Sequence, residues 1–132
     1  MLTWDQVRSM KDIFEIGSHT VNHIFLDILT PSEIDNEFIQ SKAIIEKQVG
    51  TKCEGICYPA GFVKFPIIKQ AYEHGYKYGV TTRALNNSPL TNSYLLNRKD
   101  AGYFFINGKL ERTYFFFVLS SLYDLFCSLK RG

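Results

Sequence analysis

The hydrophobic and polar positions of the chain switch repeatedly between a helical and a strand spacing. The clearest helical stretch is TPSEIDNEFIQSKAIIEKQVG, residues 30–50, whose apolar positions form one stripe: Ile34, Phe38, Ile45 and Val49. Its start has Thr30 as N-cap, Pro31 as the first helical residue and Glu33 as capping-box partner. Gly50 follows the last turn as a C′ glycine. The pattern therefore predicts one long amphipathic helix.

Shorter elements of both kinds surround this helix. A first helix is predicted from Thr3, with Gln6 as its capping-box partner, and another over residues 65–74, closed by Gly75. Buried strands are predicted at residues 13–16, 54–58 and 76–82, with one more short strand in LLNRKD, residues 95–100. The strand at 54–58 runs into a turn at residues 59–61, and a last helix is predicted over residues 114–129.

Helices and strands thus alternate, which indicates parallel strands joined by right-handed crossovers with helices outside. The fold class expected is α/β, and a length of 132 residues suits a single domain over residues 1–132. A hydrophobic fraction of 45% is enough for a real core. The net charge is only +2 with no basic stripe, which argues against nucleic acid as a partner. The aromatic content of 15% suits core packing, with a carbohydrate-facing groove as the alternative.

The cysteines and the C-terminal segment point to structural roles. Cys53, Cys57 and Cys127 are odd in number and lack a second pair for a zinc site, so Cys53 and Cys57 are interpreted as small apolar residues. Residues 113–132 read as an apolar, amphipathic helix packed on the domain, and a membrane surface as its partner is the less favoured alternative. No signal peptide is visible at the N-terminus, and the compartment stays unassigned.

Candidate chemistry collects after two of the predicted strands. His19 and His23 follow the strand that ends at Ile16, and Tyr58-Pro59-Ala60-Gly61 follows the next one. In parallel α/β folds, ligands bind at the carboxyl ends of strands. Two neutral imidazoles four residues apart can share one divalent ion, although zinc requires a third protein ligand. The alternative is that both histidines bond to backbone near a strand end.

The motifs together resemble the polysaccharide deacetylase family, the NodB-homology domain of carbohydrate esterase family 4. The family's H-[ST]-x-x-H motif is matched by His19-Thr20-Val21-Asn22-His23, and its later turn motif by Cys57-Tyr58-Pro59-Ala60-Gly61. Between them lies a long helix that carries Glu37 and Ser41-Lys42, as in the family. AYEHGYKYGVTTR and LLNRKDAG resemble later family segments, so the resemblance covers about residues 2–102.

This resemblance implies a distorted (β/α) barrel that removes acetyl groups from N-acetylated glycans with the help of a divalent metal, usually zinc. His19 and His23 would be metal ligands. The backbone N–H of Ala60 would hold the oxyanion, since a backbone donor survives the change from the family's tyrosine. The substrate-binding residues implied are Tyr58, Pro59, Gly61 and Arg98. Many family members act outside the cytoplasm.

The sequence also departs from the family pattern. The Asp-Asp motif that supplies the catalytic base and third ligand has no match, because Asp5 and Asp12 lie apart and outside the right context. We therefore expect a barrel missing its first strand or strands, with little or no activity alone, and an exposed sheet edge open to self-association. The alternative is a non-catalytic carbohydrate-binding or membrane-associated remnant. His74 is expected to be a surface residue that does not replace the family's late histidine.

Overall fold

The structure, a computed structural model, describes residues 2–98 and the backbone of two short strands beyond them. Its helices are α1 (Trp4–Met10), α2 (Pro31–Val49) and α3 (Phe65–Glu73). Its strands are β1 (Gly55–Cys57), β2 (Tyr78–Val80), β3 (Phe105–Ile106) and β4 (Lys109–Leu110). Single 3-10 turns occupy Leu26–Ile28, Pro59–Gly61 and Ser93–Leu95.

The predicted boundaries of the helices within the described residues are confirmed, together with the local contacts that set them. Helix α2 begins with a capping box in which Thr30 and Glu33 satisfy each other's backbone donors. It ends at Gly50, which adopts a left-handed conformation with φ of 77°. Helix α1 begins with the predicted capping box of Thr3 and Gln6. These helix ends follow from neighbouring residues alone, because every cap contact spans only three positions.

The sheet that contains β1 and β2 consists of parallel strands, as predicted. β1 and β2 pair in parallel, with Ile56 opposite Gly79. An isolated parallel bridge joins Ser18 to Ile56, and another joins Leu96 to Val80. The Ser18 segment bonds to the edge of β1 that faces away from β2, through Ser18 N to Gly55 O and Cys57 N to Ser18 O. Four extended segments therefore run side by side in the same direction.

Two predicted strands differ from the expectation in the part of the chain that the structure describes. Residues 13–16 form no strand: Ile13 and Phe14 are 77% and 59% exposed, and their N–H groups both bond to Met10 O in a turn that extends α1. The apolar run was interpreted as a buried strand, but this segment reaches the sheet only at Ser18. In the predicted strand at 95–100, the described residues contribute only the bridge at Leu96.

The hydrophobic core lies between the sheet and the two longer helices. α2 contributes Ile34 and Phe38, α3 contributes Ile67 and Ala71, and β1 contributes Ile56. The other core residues are Leu26, Cys53, Tyr58 and Tyr76. Alternate residues of a strand point to opposite faces, so Gly55, Cys57, Tyr78 and Val80 lie on the other face of the sheet.

The remaining predictions concern the far end of the chain. β3 and β4 form an antiparallel pair with Phe105 opposite Leu110, which the sequence pattern did not indicate. The predicted helix over residues 113–132 lies outside the described residues. Within the described part of the chain, no helix has the length and apolar character needed to cross a membrane. The described residues form two small sheets with helices, so a closed barrel stays a prediction.

Candidate functional site

The first candidate residue, His19, is attached to the neighbouring strand by its own side chain. Its Nδ1 lies 2.7 Å from the carbonyl oxygen of Cys57, at the carboxyl end of β1. A carbonyl oxygen only accepts hydrogen bonds, so Nδ1 must be the protonated nitrogen. The neutral imidazole then presents the lone pair of Nε2, the nitrogen turned away from this bond. This is the arrangement in which a histidine is held ready to ligate a metal.

His23 returns to the same place because the loop between the histidines turns sharply. Thr20 and His23 both have positive φ angles, of 65° and 54°, which non-glycine residues adopt rarely. The His23 N–H donates to Thr20 Oγ1 over 3.2 Å, which closes the turn. The two imidazole rings consequently meet edge to face, with centroids 4.7 Å apart. Both side chains are exposed, so both remain accessible to a ligand.

The buried carboxylate of Glu37, on α2, holds the loop between the two histidines through hydrogen bonds. Glu37 Oε2 accepts the backbone N–H groups of Val21 at 2.7 Å and Asn22 at 3.0 Å, and its Oε1 accepts the Asn22 side-chain amide at 2.5 Å. Glu37 is only 7% exposed. Burial raises the pKa of this carboxyl, but the hydrogen bonds from Asn22, Val21 and Thr20 outweigh it and bring the pKa below its ordinary value. Glu37 is therefore held as an anion under the loop.

A second polar contact anchors the start of the loop. Ser18 Oγ donates to Ser41 Oγ over 2.8 Å, and Ser41 Oγ in turn donates to the Glu37 carbonyl over 2.6 Å. Tyr76 OH donates to the Phe38 carbonyl over 3.1 Å next to this pair. Both serines are buried, so each bond forms in a setting where water does not compete.

The turn after β1 has a buried half and an accessible half. Tyr58 is fully buried and Pro59 is also buried, so neither side chain is exposed to solvent; their role in substrate binding stays a prediction. Burial, with a smaller effect of Tyr94, raises the pKa of the Tyr58 phenol. Its OH has no hydrogen-bond partner among the described residues. The Tyr58 ring also lies against Gly79, where any added Cβ would overlap it. Tyr58 and Pro59 thus support the turn from the core side.

Ala60 and Gly61 form the partly exposed half of this turn, and both have positive φ, of 54° and 74°. The Gly61 N–H donates to the Tyr58 carbonyl over 2.8 Å, and Thr82 Oγ1 donates to the Ala60 carbonyl over 3.1 Å. A Cβ on Gly61 would overlap Thr82, so only glycine fits at this position.

An open cavity of about 340 Å³ lies on the sheet face opposite the helical core. Its walls combine the edge segment, both strands and the segment after them: Gly17, Ser18, His19, Gly55, Cys57, Tyr78, Val80 and Arg98. Arg98 Nη1 donates to Cys57 Sγ over 3.2 Å, so the structure brings Arg98 and His19 to the same strand residue. Ala60 and Gly61 do not line this cavity, although their turn begins directly after Cys57.

The donor set fits part of a metal site. Two imidazoles lie together, and the Nδ1 bond of His19 leaves Nε2 free for a cation. Within the described residues no third His, Cys, Asp or Glu joins them in a cluster that could hold a metal ion. The third histidine lies elsewhere: His74 Nε2 is 2.6 Å from Asp35 Oδ1, where it links α3 to α2. The His74 side chain is 22% exposed, so it is partly accessible at the surface while it bonds to Asp35.

Sequence reasoning assigned no function to the polar side chains beneath the loop. Glu37 and Ser41 occupy positions on the apolar stripe of α2, between Ile34 and Ile45, where a surface helix normally carries hydrophobic residues. A charged residue on a buried stripe is a detectable signal, because it needs a partner inside the protein. The pattern alone did not identify that partner, since Val21 and Asn22 lie about a dozen or more positions away.

Comparison with known proteins finds relatives that agree with one another in family. The profile of the polysaccharide deacetylase family matches residues 2–79. The protein YxkH of Bacillus subtilis (strain 168), whose name assigns it to the polysaccharide deacetylases, is 33% identical over 98 residues, which are 74% of this chain and 35% of that protein. The peptidoglycan-N-acetylglucosamine deacetylase of Bacillus cereus is 30% identical over 70 residues, which are 52% of this chain and 32% of the relative. The chain thus spans about a third of the length of these curated relatives.

Solved structures agree with the sequence matches. The Streptococcus pyogenes deacetylase PplD, solved in complex with acetate, superposes with a TM-score of 0.70 at 32% identity. The match covers 74% of this chain and 44% of the streptococcal chain. A deacetylase domain of BpsB from Bordetella bronchiseptica, at 19% identity and a TM-score of 0.66, shares the fold over 75% of this chain and 48% of its own. The matched profile covers more than half of the 132 residues, and the chain belongs to the polysaccharide deacetylase family.

Proposed function

We propose that this chain serves in the metal-assisted removal of acetyl groups from an N-acetylated glycan. The observation that carries the proposal is the His19–His23 pair, whose rings lie 4.7 Å apart at the carboxyl end of a parallel sheet. The names of the relatives support the reaction class, since one acts on N-acetylglucosamine of peptidoglycan and another was solved with acetate, the product that such a hydrolysis releases.

In this proposal His19 and His23 hold a divalent cation through imidazole nitrogens. Zinc is the first candidate, because neutral imidazole is among its preferred ligands. A bound metal would supply Lewis-acid polarisation of the amide carbonyl and a water of lowered pKa. The bond from His19 Nδ1 to the Cys57 carbonyl keeps the ring oriented before any cation arrives.

Other residues are proposed to bind and orient the glycan. The Ala60 N–H would donate to the carbonyl oxygen as it becomes an oxyanion, and Gly61, packed against Thr82, would hold the turn that presents this N–H to the substrate. Arg98, fixed by Cys57 Sγ within the 340 Å³ cavity, would donate to polar groups of the sugar. We also propose that these 132 residues alone release acetate slowly or not at all, because two imidazoles without a carboxylate bind zinc weakly.

The test combines zinc binding with acetate release on the 132-residue protein and on His19→Ala/His23→Ala. Calorimetry should detect zinc binding to the first protein that is lost in the double variant. Any acetate released from N-acetylglucosamine oligomers should require zinc and both histidines. The matched control is His74→Ala, which removes an imidazole that bonds to Asp35 instead. Sugar binding that needs no metal and survives the double variant would favour a non-catalytic carbohydrate-binding role.

A further inference from the structure

Glu37 holds the middle of the segment between the two histidines, yet it lies outside both sequence motifs. It accepts hydrogen bonds from two backbone N–H groups and one side-chain amide, all from Val21 and Asn22. The loop it holds contains two non-glycine residues in the left-handed region, Thr20 and His23. Each such residue is strained, because its Cβ lies too close to the following carbonyl oxygen. The loop therefore needs contacts from outside itself to keep this shape.

We propose, on the basis of the metal-binding role proposed above for His19 and His23, that Glu37 is a positioning residue that sets the cation affinity of this pair. Its three hydrogen bonds hold Val21 and Asn22 so that His23 returns to the ring of His19. Without them, the loop N–H groups are free to bond to water and the loop samples conformations in which the imidazoles are apart. The apparent affinity then falls in proportion to the fraction of molecules that keep the paired arrangement.

The hydrogen-bond geometry of the Glu37 carboxylate allows a conservative replacement. Both backbone N–H groups bond to the same oxygen, Oε2, while Oε1 faces the Asn22 side chain. A glutamine can put its carbonyl oxygen in the place of Oε2 and its amide nitrogen opposite Asn22. The Asn22 amide can then rotate and accept where it had donated. Glu37→Gln should therefore keep the loop in place, whereas Glu37→Ala should not.

A matched control is present on the same helix. Glu46 Oε1 accepts the backbone N–H of Cys53 over 3.0 Å, so it fastens a different loop to α2 with the same chemistry. Glu46→Ala should cost stability without changing the His19–His23 pair. If Glu37 only stabilised the fold, Glu37→Ala and Glu46→Ala would have the same effect on stability and on cation binding.

The experiment is a titration of the full 132-residue protein with cobalt(II), followed by its visible absorption, alongside urea unfolding. Glu37→Ala should weaken cobalt binding by about 10- to 100-fold, the range typical of residues that orient metal ligands. Glu46→Ala should stay within about twofold of the starting protein, as expected for an independent site. Glu37→Gln should recover most of the affinity. Cobalt binding by Glu37→Ala that matches the starting protein, or an equal loss in Glu46→Ala, would overturn the proposal.

Amide hydrogen exchange separates this proposal from the one on function. Exchange at Val21 and Asn22 should accelerate in Glu37→Ala and stay unchanged in Glu46→Ala. A starting protein that binds no cobalt would remove the metal role of the histidines, and with it any effect of Glu37 on affinity. Exchange would still decide whether Glu37 holds the loop, and unchanged rates at Val21 and Asn22 would refute that as well.

Discussion

The imidazole of His19 and the backbone carbonyl of Cys57 are joined by a 2.7 Å contact between Nδ1 and O. This bond ties the histidine loop to the end of β1, directly before the Tyr58–Gly61 turn. One hydrogen bond therefore connects the two motifs that the sequence separates by more than thirty positions. It also assigns the protonated nitrogen of His19, because the carbonyl cannot donate.

The first prediction concerns this tautomer. NMR of isotope-labelled histidine side chains should show that the neutral form of the His19 ring carries its proton on Nδ1 and not on Nε2. Addition of zinc should shift the Nε2 resonance and leave the Nδ1 proton in place, because the Cys57 carbonyl continues to accept it. The His74 resonances serve as the internal control, since that ring bonds to Asp35. Loss of the Nδ1 proton on zinc binding would contradict the assignment.

The second prediction concerns the buried phenol of Tyr58. Its hydroxyl is buried without a hydrogen-bond partner in the part of the chain that the structure describes, so Tyr58→Phe removes a desolvation cost. We expect the free energy of unfolding to rise by about 1 kcal/mol. Tyr94→Phe is the matched control, because Tyr94 OH donates to the Tyr76 carbonyl over 2.5 Å and its removal should lower stability. Urea unfolding of both variants should give changes of opposite sign.

The third prediction concerns the left-handed residue of the turn. Ala60 has a φ of 54°, where glycine has no steric penalty, so Ala60→Gly should stabilise the folded protein by about 0.5 kcal/mol after the greater chain entropy of glycine is subtracted. The same change at Ala43, inside helix α2, should destabilise it by about 1 kcal/mol. Thermal or urea unfolding measures both. Destabilisation by Ala60→Gly would mean that the turn is not strained as described.

The fourth prediction concerns acid stability through the Asp35–His74 pair. The hydrogen bond from His74 is the main reason that the pKa of Asp35 lies below its ordinary value of 3.8; burial opposes this, and Gln70 adds to it. Because the pKa of Asp35 is lower in the folded protein, the unfolded chain takes up this proton at a higher pH. The Asp35–His74 pair therefore stabilises the fold at pH values above the ordinary pKa of 3.8. Its contribution should be lost as the pH falls through the folded pKa.

Asp35→Asn provides the measurement for this pair, because it carries no titrating carboxyl at that position. The difference in unfolding free energy between the starting protein and Asp35→Asn should shrink as the pH falls from about 5 to below 3.8. Urea titrations across this range give the difference directly. A difference independent of pH would show that the Asp35 carboxylate does not stabilise the folded state.

Local chemistry made several elements predictable. The Thr30–Glu33 capping box, the Pro31 start and the left-handed Gly50 involve residues a few positions apart, so the sequence pattern was sufficient to place helix α2. The parallel arrangement followed in the same way from alternation of helices and strands. The histidine motif was visible for the same reason, as His19 and His23 lie on one short loop.

Packing between distant segments decided the rest. The apolar residues Ile13 and Phe14 are exposed and take no part in the core that α2, α3 and β1 form, and hydrophobic periodicity does not show this. Tyr58, in the turn motif, is fully buried in that core, although its position in the sequence directly follows a strand.

The sequence by itself determined the helices, the direction of the strands and the family motifs, because each depends on neighbouring residues. Only the tertiary structure decided that Glu37 lies beneath the histidine loop and that Arg98 and His19 meet at Cys57. Those contacts join residues up to 41 positions apart. The packing of helices and strands brings these residues together, and no local sequence pattern indicates which residues meet.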